Sequence, residues 1–250
     1  MIYDCFTFFN ELDLLEIRLN SMAPYVDRFV LCESPVTYSG KPKPLYFADN
    51  KSRYSAFPIT HIIAHDYHLP LAGGPWQLEN HQRERIMWGL KDAHEDDLII
   101  FSDLDEIPNL TRYLRGPRRE GVFRHKLYYY YCNAFTGRRN WHGTIAVYRR
   151  NLTSTNCMNT LRDLRNKLPV VAFHGGWHFS TLGSVENIQY KIESYAHVEF
   201  DTDKVKGNIA SNRENLLDPY NRTEDQLRIE MPSGPQWLLD NASRYPHLWL

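Results

Sequence analysis

The chain has 250 residues, 42% of them hydrophobic and 14% aromatic, with 29 basic against 30 acidic side chains and a formal charge of −1. That is the composition of a folded globular protein; it excludes intrinsic disorder and argues against a dedicated nucleic-acid binder, whose domains are plainly basic. The balance is local, not uniform: residues 1–111 carry 9 basic and 17 acidic side chains, residues 112–167 carry 13 and 2, and residues 168–250 carry 7 and 11.

In chain order, residues 2–8 are β-branched and aromatic and predict a strand. Residues 11–22 predict a helix, with Leu12, Leu15, Leu19 and Met22 at helical spacing. Residues 28–33 and 59–65 read as further strands, 79–93 as a helix with Ile86, Leu90 and Ala93 on one face, and 97–101 as a short apolar strand of the kind buried in a parallel sheet. This alternation predicts an α/β sheet with crossover helices. The turn over residues 7–11 contains no glycine, so the dinucleotide-binding Gly-x-Gly-x-x-Gly cradle is absent, as is a Walker phosphate loop. A nucleotide diphosphate on this sheet needs another device, most simply a metal ion. Residues 122–133 and 143–149 predict long strands and 184–198 a helix, followed by a tail with Pro219, Pro232, Pro235 and Pro246. No linker divides the chain, so 1–250 reads as one domain. Without an apolar span or a basic leader, no transmembrane segment or signal peptide is expected. Cys5, Cys32, Cys132 and Cys157 are too scattered for a Cys-x-x-Cys motif, and reduced cytoplasmic thiols are expected.

Ser102-Asp103-Leu104-Asp105-Glu106-Ile107-Pro108 follows the buried strand directly. Residues two apart in extended chain point the same way, so Asp103 and Asp105 project together into the crevice where open α/β sheets bind ligands. Paired carboxylates of this kind suit Mn²⁺ or Mg²⁺, which would neutralise a diphosphate leaving group; the plainer reading is that they terminate a strand and cap a short helix over 109–114. In His174-Gly175-Gly176-Trp177-His178, the glycines allow close backbone approach and His178 could complete a metal site, or the block is a turn with a packed histidine. On the helix over 184–198, Glu186, Tyr190, Glu193 and His197 share one face, a place for a general base or simply a solvated surface. Arginines crowd the basic middle, and Tyr128 to Tyr131, with Trp141 and Trp177, offer rings for stacking on sugars or for sheet packing.

Four blocks in order, residues 2–19, 33–45, 102–108 and 175–178, resemble glycosyltransferase family 17, the β-1,4-mannosyl-glycoprotein β-1,4-N-acetylglucosaminyltransferase family. The resemblance implies a GT-A-type fold, with residues 1–111 as a Rossmann-like half for nucleotide sugar and metal and 112–250 as an acceptor half with the tail. It implies inverting transfer of N-acetylglucosamine from UDP-GlcNAc to a glycan acceptor. Asp103 and Asp105 match the family's Asp-x-Asp metal motif, with His178 as third ligand of Mn²⁺ or Mg²⁺. Thr7, Asn10, Glu33 and Ser34 fall where such folds hold uridine, and Gln82, Arg83 and Arg85 lie on the helix before the metal strand, in reach of phosphate or simply facing solvent. Glu186 matches a Glu of the corresponding family helix and is the expected base, with Glu106 second. Animal members look like Golgi proteins with an amino-terminal anchor; a chain starting at its first strand suggests a microbial or viral cytoplasmic enzyme acting on another glycan. Two rivals stand beside this reading. One is a haloacid-dehalogenase-like phosphatase with Asp103 as nucleophile and Asp105 as acid/base, disfavoured because three predicted strands precede the motif. The other is a sugar-nucleotide or glycan-binding module without turnover.

Overall fold

The computed structural model describes residues 1–67, 74–153, 157–222 and 226–250. The first half alternates β1 (Ile2–Thr7), α1 (Leu12–Met22), β2 (Arg28–Glu33), α2 (Tyr46–Asn50), β3 (Ile59–Ile63), α3 (Pro75–Arg85) and β4 (Leu98–Asp103). There follow β5 (Glu106–Pro108), α4 (Leu110–Tyr113), β6 (Gly121–Tyr130), β7 (Ala134–Phe135), β8 (Trp141–Tyr148), α5 (Cys157–Leu164), β9 (Val170–Leu182), α6 (Val185–Ile192), α7 (Asp203–Glu214), β10 (Arg228–Ile229) and α8 (Gln236–Asp240).

One mixed sheet organises the chain. β3, β2, β1 and β4 lie side by side in parallel, β8 joins β4 antiparallel, and β6, β7 and β10 extend that edge. β9 runs parallel to β6 and antiparallel to the short β5. The crossover helices cover both faces, which is why β1 is buried at every position and β4 at all but the last, instead of alternating. On one face Phe6, Phe8, Phe29 and Ile100 pack against Leu15, Leu19 and Met22 of α1, and Leu238 of α8 joins the same core. On the other, Cys5, Val30, Ile99 and Phe101 meet Ile86 and Leu90. Burying each such side chain contributes roughly 1.5–3 kcal/mol.

Several expectations change in detail. The helix predicted over 79–93 starts earlier, with Pro75 in its first turn where a missing N–H costs nothing, and tightens into a 3-10 turn over Ile86–Leu90. There Gly89 meets Val30 so closely that a Cβ would stand 2.4 Å from its Cγ1. The Gly175-Gly176 pair lies inside the thirteen-residue β9, not in a turn. Gly176 has φ +149 and passes so near β5 that a Cβ would stand 2.2 Å from the Ile107 carbonyl oxygen. Tyr128 to Tyr131 are all buried, so their rings are core, not a sugar platform. Among the described residues no helix is long and apolar enough to cross a membrane.

Candidate active site

The Asp-x-Asp turn between β4 and β5 is fixed from below by one side chain, Arg18 of α1, which is fully buried. Its Nη2 donates to Asp4 Oδ1 at 2.6 Å and to Ser102 Oγ at 2.7 Å, and its Nε to Asp4 Oδ2 at 2.9 Å. Its Nη1 donates to the carbonyls of Asp103 at 2.8 Å, Leu104 at 3.0 Å and Glu106 at 3.2 Å. A guanidinium is suited to this because its donors form a rigid planar fork.

Above that anchor the motif's acids part company. Asp103 Oδ2 accepts from Arg162 Nη2 at 2.6 Å, and Arg83 Nη2 stands 3.5 Å from Oδ1. Asp105 Oδ2 lies 3.1 Å from Lys191 Nζ, and its Oδ1 lies 3.3 Å from His178 Nε2. Burial alone would raise the pKa of Asp105, but the Lys191 ammonium and the His178 ring outweigh it and hold the carboxyl well below its usual range. Lys191 also donates to Glu11 Oε1 at 3.0 Å. Burial opposes its charge, yet Asp105 and Glu11 keep its pKa raised, so it is a fixed cation.

The structure thus brings two of the three predicted metal ligands together, Asp105 and His178, and directs Asp103 to the arginines. Among the described residues no group of three His, Cys, Asp or Glu side chains is gathered as a ligand set. The Asp105 and His178 donors are nonetheless 3.3 Å apart, close to the roughly 3 Å between neighbouring donors on an octahedral ion with bonds of about 2.1 Å. A carboxylate oxygen and an imidazole nitrogen suit Mn²⁺.

Glu106 is not placed to act as a base. It is fully buried, accepts from Arg162 at 2.8 and 2.9 Å and from Trp141 Nε1 at 2.7 Å, and also receives the Asp103 N–H at 3.2 Å. Burial would raise its pKa, but the Arg162 charge prevails and holds it far below the usual range. Glu186 is exposed in the first turn of α6, and hydrogen bonding to Ser184 lowers its pKa. The residues of α6 that look into the molecule are Ile188 and Ile192, while Asn187 and Lys191, with the N-cap Ser184, line a cavity. The helix ends at Ile192, so Glu193 and His197 do not continue the face assumed for Glu186.

The predicted uridine residues also divide. Thr7 is buried at the end of β1, beside Tyr38. Ser34 Oγ accepts the Val36 N–H at 3.3 Å, closing a turn. Glu33 is consumed structurally: its carboxylate receives the N–H groups of Phe47 and Ala48, at the start of α2, at 3.1 and 3.0 Å, with His61 Nε2 at 2.8 Å. Asn10 lines a separate cavity with Glu11 and Lys191. Gln82 bonds the Phe8 and Cys32 carbonyls at 3.2 and 2.7 Å, and Arg85 is taken by Asp66 at 2.8 Å, so neither is free for phosphate. Arg83 is buried, paired with Glu79, and faces Asp103.

Phe8, Val36, Tyr38, Gln82 and Lys43 line a narrow cleft of about 60 Å³ at the strand ends. Lys43 is buried there, its ammonium over the rings of Phe9 and Tyr46. Burial, only partly offset by Glu33 and Glu11, pushes its pKa from 10.5 down to about 8. The unfolded chain therefore holds this proton more tightly, so stability climbs as pH rises from about 8 to 10.5, while below 8 the full penalty stands. Lys43→Met is expected to stabilise the fold by about 1–3 kcal/mol at pH 7, and by much less at pH 10, in urea unfolding at the two values.

The sequence model of glycosyltransferase family 17 matches residues 1–227. The chain belongs to glycosyltransferase family 17. This family-17 chain is 32% identical, over 127 residues, to a human protein named beta-1,4-mannosyl-glycoprotein 4-beta-N-acetylglucosaminyltransferase, and 31% identical to its mouse counterpart. Each alignment covers 48% of this chain and 22% of the relative, so the matched part spans about a fifth of those proteins. Among solved structures, the glycosyltransferase GlyE of Streptococcus pneumoniae TIGR4 aligns at a TM-score of 0.31 and 12% identity, over 66% of this chain and 38% of its own. S. aureus TarS 1–349 aligns at 0.33 and 13%, over 78% and 55%. The family assignment removes the phosphatase reading, and the Asp-x-Asp motif indeed ends the fourth strand of the sheet and not the first.

Proposed function

We propose that this chain is an inverting, metal-dependent glycosyltransferase of GT-A architecture, transferring N-acetylglucosamine from UDP-N-acetylglucosamine to a glycan hydroxyl. The observation that carries the proposal is the pairing of Asp105 with His178 at the carboxyl end of β4, where the sheet changes from parallel to antiparallel, in a chain of this family. The donor sugar and the β linkage come from the names of the mammalian relatives. A β linkage made from an α-linked nucleotide sugar inverts the anomeric carbon, which a single displacement accomplishes.

In this reading Asp105 and His178 hold Mn²⁺ or Mg²⁺, which when bound offsets the charge gathering on the diphosphate. Lys191 adds a fixed ammonium beside the same carboxylate. Asp103, locked in one orientation by Arg162 and Arg83, faces the nucleotide ribose, and Thr7 and Ser34 border the base at the strand ends. Holding donor and acceptor in line supplies much of the acceleration.

Calorimetric titration with UDP tests this. Binding is expected to tighten at least tenfold with Mn²⁺, and Asp105→Asn is expected to abolish the metal's contribution. UDP affinity indifferent to metal and unchanged in Asp105→Asn would discard the metal site. Binding without release of sugar from UDP-N-acetylglucosamine would favour the non-catalytic module.

A further inference from the structure

A cavity of about 520 Å³ lies not over the strand ends but between the start of α1, α6 and the chain's last turn. Its volume is within the range of small-molecule sites. The wall combines an apolar floor of Phe179 and Leu182 with amide and hydroxyl groups of Asn10, Asn187 and Ser184. That mixture suits a neutral, hydroxyl-rich ligand. Its charged lining is balanced, Lys191 and Arg213 against Glu11 and Asp13, which favours a neutral ligand over a diphosphate. Lys191 lines both this cavity and the strand-end cleft, and its ammonium touches Asp105. The cavity and the cleft therefore adjoin each other at Lys191, beside Asp105 of the motif.

Resting on the glycosyltransfer reading, we infer that this cavity is the acceptor site, that it takes a neutral oligosaccharide of two or three sugars, and that Glu11 is the proton acceptor. Among the described residues the carboxylates in its lining are Glu11 and Asp13. Asp13 is engaged by His247 at 3.0 Å near the outer rim. Glu11 is the inner one, oriented by the Asn10 N–H at 3.2 Å and by Lys191, which joins it to Asp105. In the transfer step the acceptor oxygen bonds to the anomeric carbon of the donor and its proton passes to the Glu11 carboxylate. The bond between that carbon and the diphosphate oxygen breaks, and its electron pair leaves on UDP.

Hydrogen exchange of the full chain with Mn²⁺, UDP and a panel of mannosyl and N-acetylglucosaminyl di- and trisaccharides tests the site. At least one saccharide is expected to protect residues 10–14 and 184–191 beyond the effect of UDP. Asn187→Trp, which fills the cavity, is expected to abolish that protection while UDP affinity stays within about twofold. Glu11→Gln is expected to keep both protections and to lose at least 100-fold in transfer of sugar from UDP-N-acetylglucosamine to the protecting saccharide. Protection elsewhere, protection that survives Asn187→Trp, no protection by any saccharide at millimolar concentration, or full transfer by Glu11→Gln overturns the inference while leaving the donor reading intact. UDP without effect on any segment removes the donor reading itself, and the acceptor site with it.

Discussion

Arg18→Met is expected to lower the unfolding free energy by about 3–5 kcal/mol, because it leaves the Asp4 carboxylate charged in the core without its partner. Both members of this pair are fully buried, and the same guanidinium holds the carbonyls of Asp103, Leu104 and Glu106 and the Ser102 hydroxyl. Urea unfolding of Arg18→Met, Asp4→Asn and the double variant gives the coupling; the double variant is expected to be less destabilised than the two single effects added together. Additive effects would mean that the pair is not the source. A second consequence separates this from ordinary core damage: below the unfolding transition, Arg18→Met is expected to weaken UDP binding, because the Asp103–Glu106 turn loses its support.

Arg162→Met is expected to be comparably severe, costing about 3–5 kcal/mol, since Glu106 is fully buried and Arg162 is its charged partner. Here the remedy is specific. Glu106→Gln removes the stranded charge while its amide oxygen can still accept from Trp141, so Arg162→Met/Glu106→Gln is expected to recover a large part of the stability. It is not expected to recover UDP binding, because Asp103 would still lack the guanidinium that fixes it. Recovery of both would reduce Arg162 to a structural residue.

The strands of the first half were legible because the parallel core demands apolar, β-branched runs, and residues 28–33 and 97–101 have little else they can be. The place of the Asp-x-Asp turn was legible for the same reason, since the buried strand read over 97–101 runs straight into it. Arg18 was readable but missed. It stands three residues after Leu15 and four before Met22, inside the apolar stripe of α1, and a charge there announces a buried partner. Arg162 carried no such mark, being one arginine among many in a basic segment, on a short helix that periodicity did not reveal. The helix carrying Glu186 was read six residues too long, which extended its face to Glu193 and His197 beyond the end of α6. Glu33 looked like a ligand contact at a strand end until the start of α2 arrived there to take its oxygens, a tertiary event with no local signal.

Lys191 has a consequence that follows from its position alone. One ammonium holds Glu11 in one chamber and Asp105 beside the other. A ligand that draws this charge toward itself on either side alters the attraction that remains for the other side, so occupancies of the two chambers are thermodynamically linked. Linkage of this kind is reciprocal: whatever factor the first ligand imposes on the affinity of the second, the second imposes on the first. Order of addition can then change the rate at which a ternary complex assembles, but not its stability.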